Sequence, residues 1–402
     1  MKLRFQGRIA ALIGCSIASW CLGALAFGVM GQMTPIWMEM FHVGKGLVGL
    51  SMTALICSLG VFMFLAGRWS DEAGSRVVIS TGTILAGGAA LGFAYARNIY
   101  LLCAHAIILG AASSLVYVPS LSCVQKWWPK RRGMASGVLS LAFGISAALM
   151  VPLFNRWLES YGYFSTMLRI SLLTFVVGTL FAQFTESPRD NLAEQAISGN
   201  ALAAVGLSRS ITASGALRTR TFWLIWAIWA LGGASGAGMI MLCMPVCQDL
   251  GFTSAQGALA LGIFNLTNGL SRLVNGVLSD RFGRRTIMAL TFMSGAGAYF
   301  LLLFAKGFVT LVIPLAFIGG SFGTLFALSS PLIMEYFGER YFGAILGLVF
   351  TAYAFFSSWA GPFLGGLLRD LSGSYTATFI YLGTFLALSA VLLAWAKPPQ
   401  RV

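Results

Sequence analysis

Gly67-Arg68-Trp69-Ser70-Asp71-Glu72-Ala73-Gly74-Ser75-Arg76 and Gly276-Val277-Leu278-Ser279-Asp280-Arg281-Phe282-Gly283-Arg284-Arg285 are two copies of one pattern, set 209 residues apart. Gly, Ser-Asp, Gly and Arg coincide in them. A second correspondence, at a shift of 210, pairs Gly133, Gly137 and Pro152 with Gly343, Gly347 and Pro362. The chain therefore reads as a duplicated unit. Each copy places a carboxylate at a helix end beside arginines in a tight turn, where charge pairs can latch two helices together. The plainer alternative is a solvated turn, but two copies in equivalent positions favour the latch.

Composition says what surrounds these loops. Of 402 residues, 58% are hydrophobic and only 9% charged, against about 25% charged in a soluble domain. A soluble globule, a coiled coil, a disordered chain and a nucleic-acid-binding protein are all excluded, despite a formal charge of +14. A bilayer-spanning helix needs roughly 20 apolar residues, and the chain divides into twelve such spans, near 9–36, 46–67, 77–96, 99–125, 133–156, 164–184, 220–247, 254–277, 286–305, 308–336, 341–368 and 374–396. The first apolar run is too long for a signal peptide, and eleven more follow. The expected fold is an all-α polytopic membrane protein of twelve transmembrane helices in two six-helix bundles, residues 1–184 and 220–402. A polar stretch at 185–219, with Pro188, several serines and three arginines, reads as the linker.

With the N-terminus inside, 19 of the 26 Lys and Arg fall on cytoplasmic segments. Lys45, Arg97, Arg156, Lys306 and Arg369 lie on the outer side, and Arg169 and Arg272 fall inside spans. The positive-inside bias thus places both termini in the cytoplasm and explains the basic balance as topology, so no nucleic-acid partner is implied. The seven cysteines all lie in apolar runs. Cys243 and Cys247 are spaced for one helix face, but no acid or His completes a metal site. They read as small packing residues, with no metal and no cofactor expected.

The duplicated loops resemble those of the major facilitator superfamily, which carry a Gly-x-x-x-Asp-x-x-Gly-x-Arg pattern after helices 2 and 8. The resemblance covers essentially the whole chain and implies two bundles rocking about a central cavity. The junction Trp127-Trp128-Pro129-Lys130-Arg131-Arg132-Gly133-Met134-Ala135-Ser136-Gly137 resembles the same segment in the monocarboxylate transporters and their bacterial oxalate/formate antiporter relatives. Physically, Gly133 and Gly137 offer a small-xxx-small face for close helix packing.

Arg272 is the strongest functional candidate. A charge at membrane depth costs about 2.5–3.5 kcal/mol on insertion scales and marks a functional site by default. It is too far from the Arg284–Arg285 turn to reach the surface. Asn265, Asn268, Arg272 and Asn275 recur every three or four residues and give one polar face, which must point into a cavity. A guanidinium there matches a carboxylate with two parallel donors. The face resembles helix 8 of the monocarboxylate transporters, in which an arginine here binds the substrate carboxylate. Many animal members carry an acid one turn earlier, where this chain has Asn268. The lysine of helix 1 in animal members and the lysine of helix 11 in the oxalate type are also missing. One unpaired cavity cation balances one carboxylate, which favours monocarboxylates over dicarboxylates.

Further candidates for the cavity wall are Tyr117, Gln32, Phe326 and Phe322, and Phe355, Phe356 and Trp359 ahead of the Gly361-Pro362 break. The candidate gate at the cytoplasmic end comprises Asp71, Arg76, Asp280, Arg284, Arg131 and Arg132. No Asp or Glu falls at mid-membrane, so His105, the one buried group titrating near neutrality, is the candidate proton site. Alternatively the bound carboxylate and Arg272 carry the proton together. Arg169 is expected to snorkel. No Gly-x-x-x-x-Gly-Lys-Ser/Thr loop is present, which excludes ATP-driven transport, and no buried acid–base pair suggests an enzyme. The expectation is a monomeric plasma-membrane transporter of small monocarboxylates such as lactate or pyruvate, coupled to protons. Its rivals are an oxalate/formate-type exchanger, a drug or siderophore exporter, and a receptor that kept the fold.

Overall fold

The structure, a computed structural model, describes residues 2–128, 132–186, 211–338 and 341–399. Arg131 and most of the expected linker lie outside the described residues, as do the side chains of Asp71 and Arg132. No strand occurs among the described residues.

Ten segments are long and apolar enough to cross a bilayer. One of them, Gly137–Ala182, holds two crossings, because the backbone doubles back at Gly162 with φ 73°. Ser254–Phe282 is long enough at 29 residues but is diluted by its polar face. Twelve crossings result, labelled α1 (residues 2–41), α2 (Lys45–Ala73), α3 (Ser75–Tyr95), α4 (Ile99–Trp127), α5 (residues 132–161), α6 (residues 163–182), α7 (Arg220–Asp249), α8 (Ser254–Phe282), α9 (Arg284–Leu302), α10 (Phe308–Phe337), α11 (residues 342–372) and α12 (Thr376–Trp395). The duplication is visible in the backbone: Gly74 and Gly283 both have φ 84° and both precede a new helix, α3 and α9. Only glycine adopts that conformation without strain, which is why both copies keep it.

Helices in lipid gain little from hydrophobic burial against one another and rely on close approach at small residues. The seam between α2 and α11 shows this. A Cβ at Gly49 would lie 2.5 Å from the Pro362 carbonyl oxygen, and one at Gly46 would lie 2.9 Å from the Leu367 nitrogen. Thr53 and Cys57 continue the same stripe, donating to the carbonyls of Ser358 (2.5 Å) and Ala354 (2.8 Å). On the other side of the molecule, a Cβ at Gly144 of α5 would lie 2.8 Å from the Gly269 Cα of α8. The expected close packing at Gly137 is corrected: a Cβ there meets nothing within 4 Å, and the same holds for Gly276 and Gly347. The glycine that brings α5 onto its partner is Gly144, two turns further along.

The two ends of the molecule differ in their charges. At the end opposite the termini, Lys45 of α2 meets Asp249 of α7 at 2.7 Å, Arg369 of α11 reaches the same carboxylate oxygen at 2.7 Å, and Asp370 accepts from the Gly46 N–H at 2.8 Å. The Lys45 and Gly46 contacts tie the first half to the second, while Arg369–Asp249 lies within the second. At the terminal end the described pairs stay within one half: Arg76 with Glu186 at 3.1 Å, and Arg284 with Glu335 at 2.8 Å.

Candidate substrate-binding site

The sequence of α8 sorts its residues by face. Leu266, Leu270, Leu273, Val274 and Val277 are exposed on the outside of the bundle, while Asn265, Asn268, Arg272 and Asn275 are buried. Arg272 stands ten residues from the end of α8 at Phe282, about 15 Å along the axis. Its guanidinium is held by weak contacts: Nη2 to Asn268 Oδ1 and Nη1 to the Ser140 carbonyl of α5, both at 3.4 Å. The cation lies 4.9 Å from the centre of the Phe326 ring. No carboxylate pairs with it among the described residues. Its Nε and the neighbouring Asn268 Nδ2 are buried without a hydrogen-bond partner.

Arg272 faces a cavity of about 40 Å3 lined by Phe27, Tyr117, Phe143, Phe326, Phe350 and Tyr353, among others. A buried water needs about 10–15 Å3 on this measure, so the space takes two to four water-sized groups. The rings brace one another: Phe27 and Phe143 at 5.3 Å, Tyr117 and Phe143 at 5.2 Å, Phe326 and Tyr353 at 5.6 Å, with Trp229 behind Phe326 at 5.0 Å. Edge-on and tilted pairs of this kind contribute about 0.5–1.5 kcal/mol each beyond area burial, which makes a stiff apolar wall. The polar atoms left are few. The Tyr117 hydroxyl lies 3.2 Å from Ser140 Oγ, Ser113 donates to the Leu109 carbonyl one turn back, and Ser114 donates to the Leu59 carbonyl of α2. The cavity is thus an apolar box with one guanidinium, whose unpartnered atoms are N–H donors. Such a site binds an acceptor of negative charge with a small apolar body.

Several expected residues fall here and others do not. Arg272, Asn268, Tyr117 and Phe326 come together, and Phe322 stands behind Phe326 at 5.1 Å. Asn265 is fully buried, its Nδ2 donating to the Leu261 carbonyl at 2.9 Å. Gln32 lies nearer the opposite end, bonded to Asn155 at 3.0 Å, which in turn meets Glu159 at 2.7 Å. Phe355 and Trp359 are corrected: they are 58% and 46% exposed on the outside of α11. Phe356 packs on Phe385 of α12 instead. On a regular helix Phe355 stands about 140° from Phe350, so only one of them can face the cavity; Phe350 and Tyr353 do, and a wide helical turn spans Ala352–Ser357. A similar turn at Ala24–Val29 carries Phe27. Such turns recur at functional sites, but nothing in the hydrophobic pattern announces them. Phe27, Phe143, Phe350 and Trp229 were therefore not singled out from sequence.

His105 sits between α3 and α4, its Nδ1 2.7 Å from the Leu101 carbonyl and its ring against Gly92 and Phe93. It is not part of the cavity wall. Arg169 stacks on Tyr161 at 3.3 Å. Of the expected gate, Arg76 and Arg284 hold the pairs given above, Arg284 also donates to the Pro331 carbonyl at 3.0 Å, and Asp280 is exposed with no ion pair among the described residues. No cluster of metal-ligating residues occurs among the described residues.

A twelve-helix membrane protein with two halves and a central charged cavity is a transporter of the two-bundle class. The family description "Major Facilitator Superfamily" matches residues 15–360 and 233–402, and the chain belongs to that family. It is related to an oxalate:formate antiporter of Oxalobacter formigenes, with 26% identity over 320 residues covering 78% of this chain and 74% of the relative. Monocarboxylate transporter 13 of Rattus norvegicus is also 26% identical, over 392 residues covering 94% and 87%. Among solved structures, the inward open conformation of the xylose transporter XylE from E. coli superposes with a TM-score of 0.76 at 16% identity, covering 98% of this chain and 97% of that one. That likeness establishes the fold. The protein is a multi-pass membrane transporter.

Proposed function

We propose that this transporter carries small monocarboxylates of lactate or pyruvate size across the plasma membrane, with Arg272 as the anion anchor. The observation that carries the reading is the buried Arg272 guanidinium with no carboxylate beside it, its Nε and the adjacent Asn268 amide both unpartnered. A buried charge of this kind is costly unless something pairs it, and a substrate carboxylate accepts from both donors. The monocarboxylate and oxalate:formate relatives agree with that chemistry. One cation suits one carboxylate, and the small apolar box suits a short carbon tail better than a drug or a siderophore.

The Lys and Arg asymmetry puts both termini in the cytoplasm, so the Lys45–Asp249–Arg369 cluster closes the outer end. Alternating access then opens that end while the inner one shuts, with the halves acting as units at 1–184 and 220–402 and a single chain sufficing. Gln32 and Asn265 extend the polar lining toward the outside, and the cytoplasmic loops with Asp71, Arg76, Asp280, Arg284, Arg131 and Arg132 form the inner gate. Proton symport in this reading uses the substrate's own carboxylate on Arg272, because His105 stands off the cavity. Anion exchange is the second reading, favoured by the lack of any Asp, Glu or His in the cavity wall.

The test is uptake into proteoliposomes of radiolabelled lactate, pyruvate and oxalate, with and without a pH gradient or a preloaded anion. Lactate or pyruvate uptake that alkalinises the outer medium and disappears in Arg272→Gln supports symport. Uptake that needs a preloaded anion and ignores the gradient establishes exchange. Unchanged uptake by Arg272→Gln removes the anchor.

A further inference from the structure

We propose that Lys45 is a second anion site, the outer docking cation that receives the carboxylate before it reaches Arg272. The inference rests on the carboxylate reading above and on how the outer cluster divides between the two halves.

Lys45 opens α2, and its side chain is 8% exposed. Both of its contacts belong to the other half: Asp249 Oδ2 of α7 at 2.7 Å, and the ring of Tyr375, just before α12, at 4.9 Å. Asp249 is not so divided. The same Oδ2 also accepts from Arg369 of α11, Nη2 at 2.7 Å and Nε at 2.8 Å, and α7 and α11 lie in one half. Arg369 stacks on Tyr375 as well, at 5.4 Å. The remaining charges nearby are Asp370, which takes the Gly46 N–H, and Glu39, exposed at the end of α1.

When the halves part at this end, Asp249 therefore keeps Arg369 and Tyr375 keeps Arg369, while Lys45 loses every partner it has. A cation stripped of its counter-ion in a partly dry wall is costly, and the cheapest replacement is another carboxylate from the outer medium. A cleft of about 250 Å3 lined by Asp249, Arg369, Tyr375 and Thr376, all of the second half, brings solvent to Asp249, while Lys45 stays covered until the halves part. The incoming anion and Asp249 thus compete for one ammonium. The anion that wins holds the outer end open and stands at the mouth of the route to Arg272.

A simple latch makes a different prediction, and this separates the two. If Lys45 and Asp249 only hold the halves together, Lys45→Gln and Asp249→Asn delete the same bond and change transport in the same direction. If Lys45 docks the anion, the two variants move in opposite directions. In right-side-out proteoliposomes with radiolabelled lactate, Lys45→Gln should raise the external half-saturation concentration at least tenfold, with Lys45→Arg restoring most of the loss. Asp249→Asn, which removes the competitor, should lower it severalfold. A change of the same sign in both variants, or none in Lys45→Gln, overturns the proposal. A second readout does not depend on transport. Cys57 in the α2–α11 seam, with the other cysteines replaced by alanine, reports outer opening through its labelling by a membrane-impermeant maleimide. Lactate or chloride outside should speed labelling at least threefold over the neutral lactate isostere lactamide, and not in Lys45→Gln. Anion-independent labelling contradicts docking. Absence of any carboxylate uptake by the unmodified protein defeats the earlier reading instead, and the maleimide measurement with chloride then decides the docking claim.

Discussion

Lys45 and Arg272 are both buried cations, and the difference between them is the carboxylate. Lys45 has Asp249 at 2.7 Å and the edge of an aromatic cluster. Arg272 has two amide and carbonyl oxygens at 3.4 Å, a ring face, and an unpartnered Nε. A fold that needs a buried charge for stability supplies the counter-ion from its own chain, because an uncompensated one costs several kcal/mol. Where the chain withholds it, the counter-ion comes from elsewhere. In the proposed reading, the buried arginine is held ready for an anion, whereas the lysine is occupied until the two halves move.

The sharpest way to break this contrast is to remove the Arg272 charge. Arg272→Gln should cut uptake by at least about 100-fold, since truncating one partner of a desolvated, hydrogen-bonded charge pair costs about 2–5 kcal/mol. Its melting temperature should stay close to that of the unmodified protein, because no intrinsic ion pair is lost. A collapsed melting temperature would make Arg272 structural. Supplying the missing counter-ion is the next test. Asn268→Asp puts a carboxylate one turn from Arg272, and uptake should fall on the order of tenfold at neutral pH through competition with substrate. The sign is fixed: lowering the pH protonates the new carboxylate and frees Arg272, so uptake by the variant should rise more steeply on acidification than uptake by the parent protein.

Smaller effects sharpen the picture of the box. Phe326→Ala removes the ring under the guanidinium, worth about 2 kcal/mol in a desolvated site, and should raise the half-saturation concentration roughly tenfold. Tyr353→Phe deletes one wall hydroxyl and should cost a few-fold, in line with about 0.5–1.5 kcal/mol per hydrogen bond. Phe355→Ala and Trp359→Ala, on the outside of α11, should change it by less than about twofold. Large effects there would mean that α11 turns a different face inward during transport.

How much of this was legible depended on whether the signal was local. The two Gly-x-x-Ser-Asp loops carry their own geometry, and Gly74 and Gly283 share a φ of 84°, so the duplication and the twelve crossings followed from the chain alone. Arg272 was equally plain, because a charge in an apolar run with asparagines at helical spacing has few other meanings. The aromatic box was not legible. Phe355 and Phe350 are equally apolar and stand about 140° apart on α11, and only the tertiary arrangement decides which of the two faces the cavity. Gly137 was given a packing role that the tertiary arrangement assigns to Gly144. The outer cluster joins residues as far as 324 positions apart, and no periodicity predicts that Lys45 and Arg369 would share one carboxylate oxygen.

The account's central claim is that Arg272 is an anion anchor left unpaired by the protein itself. The most direct test is the thermal stabilisation of purified protein by a panel of mono- and dicarboxylates, amino acids, sugars and hydrophobic cations, repeated on Arg272→Gln. Stabilisation confined to short monocarboxylates and lost in the variant is the predicted result. Stabilisation by bulky or cationic ligands alone, or carboxylate shifts that persist in Arg272→Gln, would contradict it.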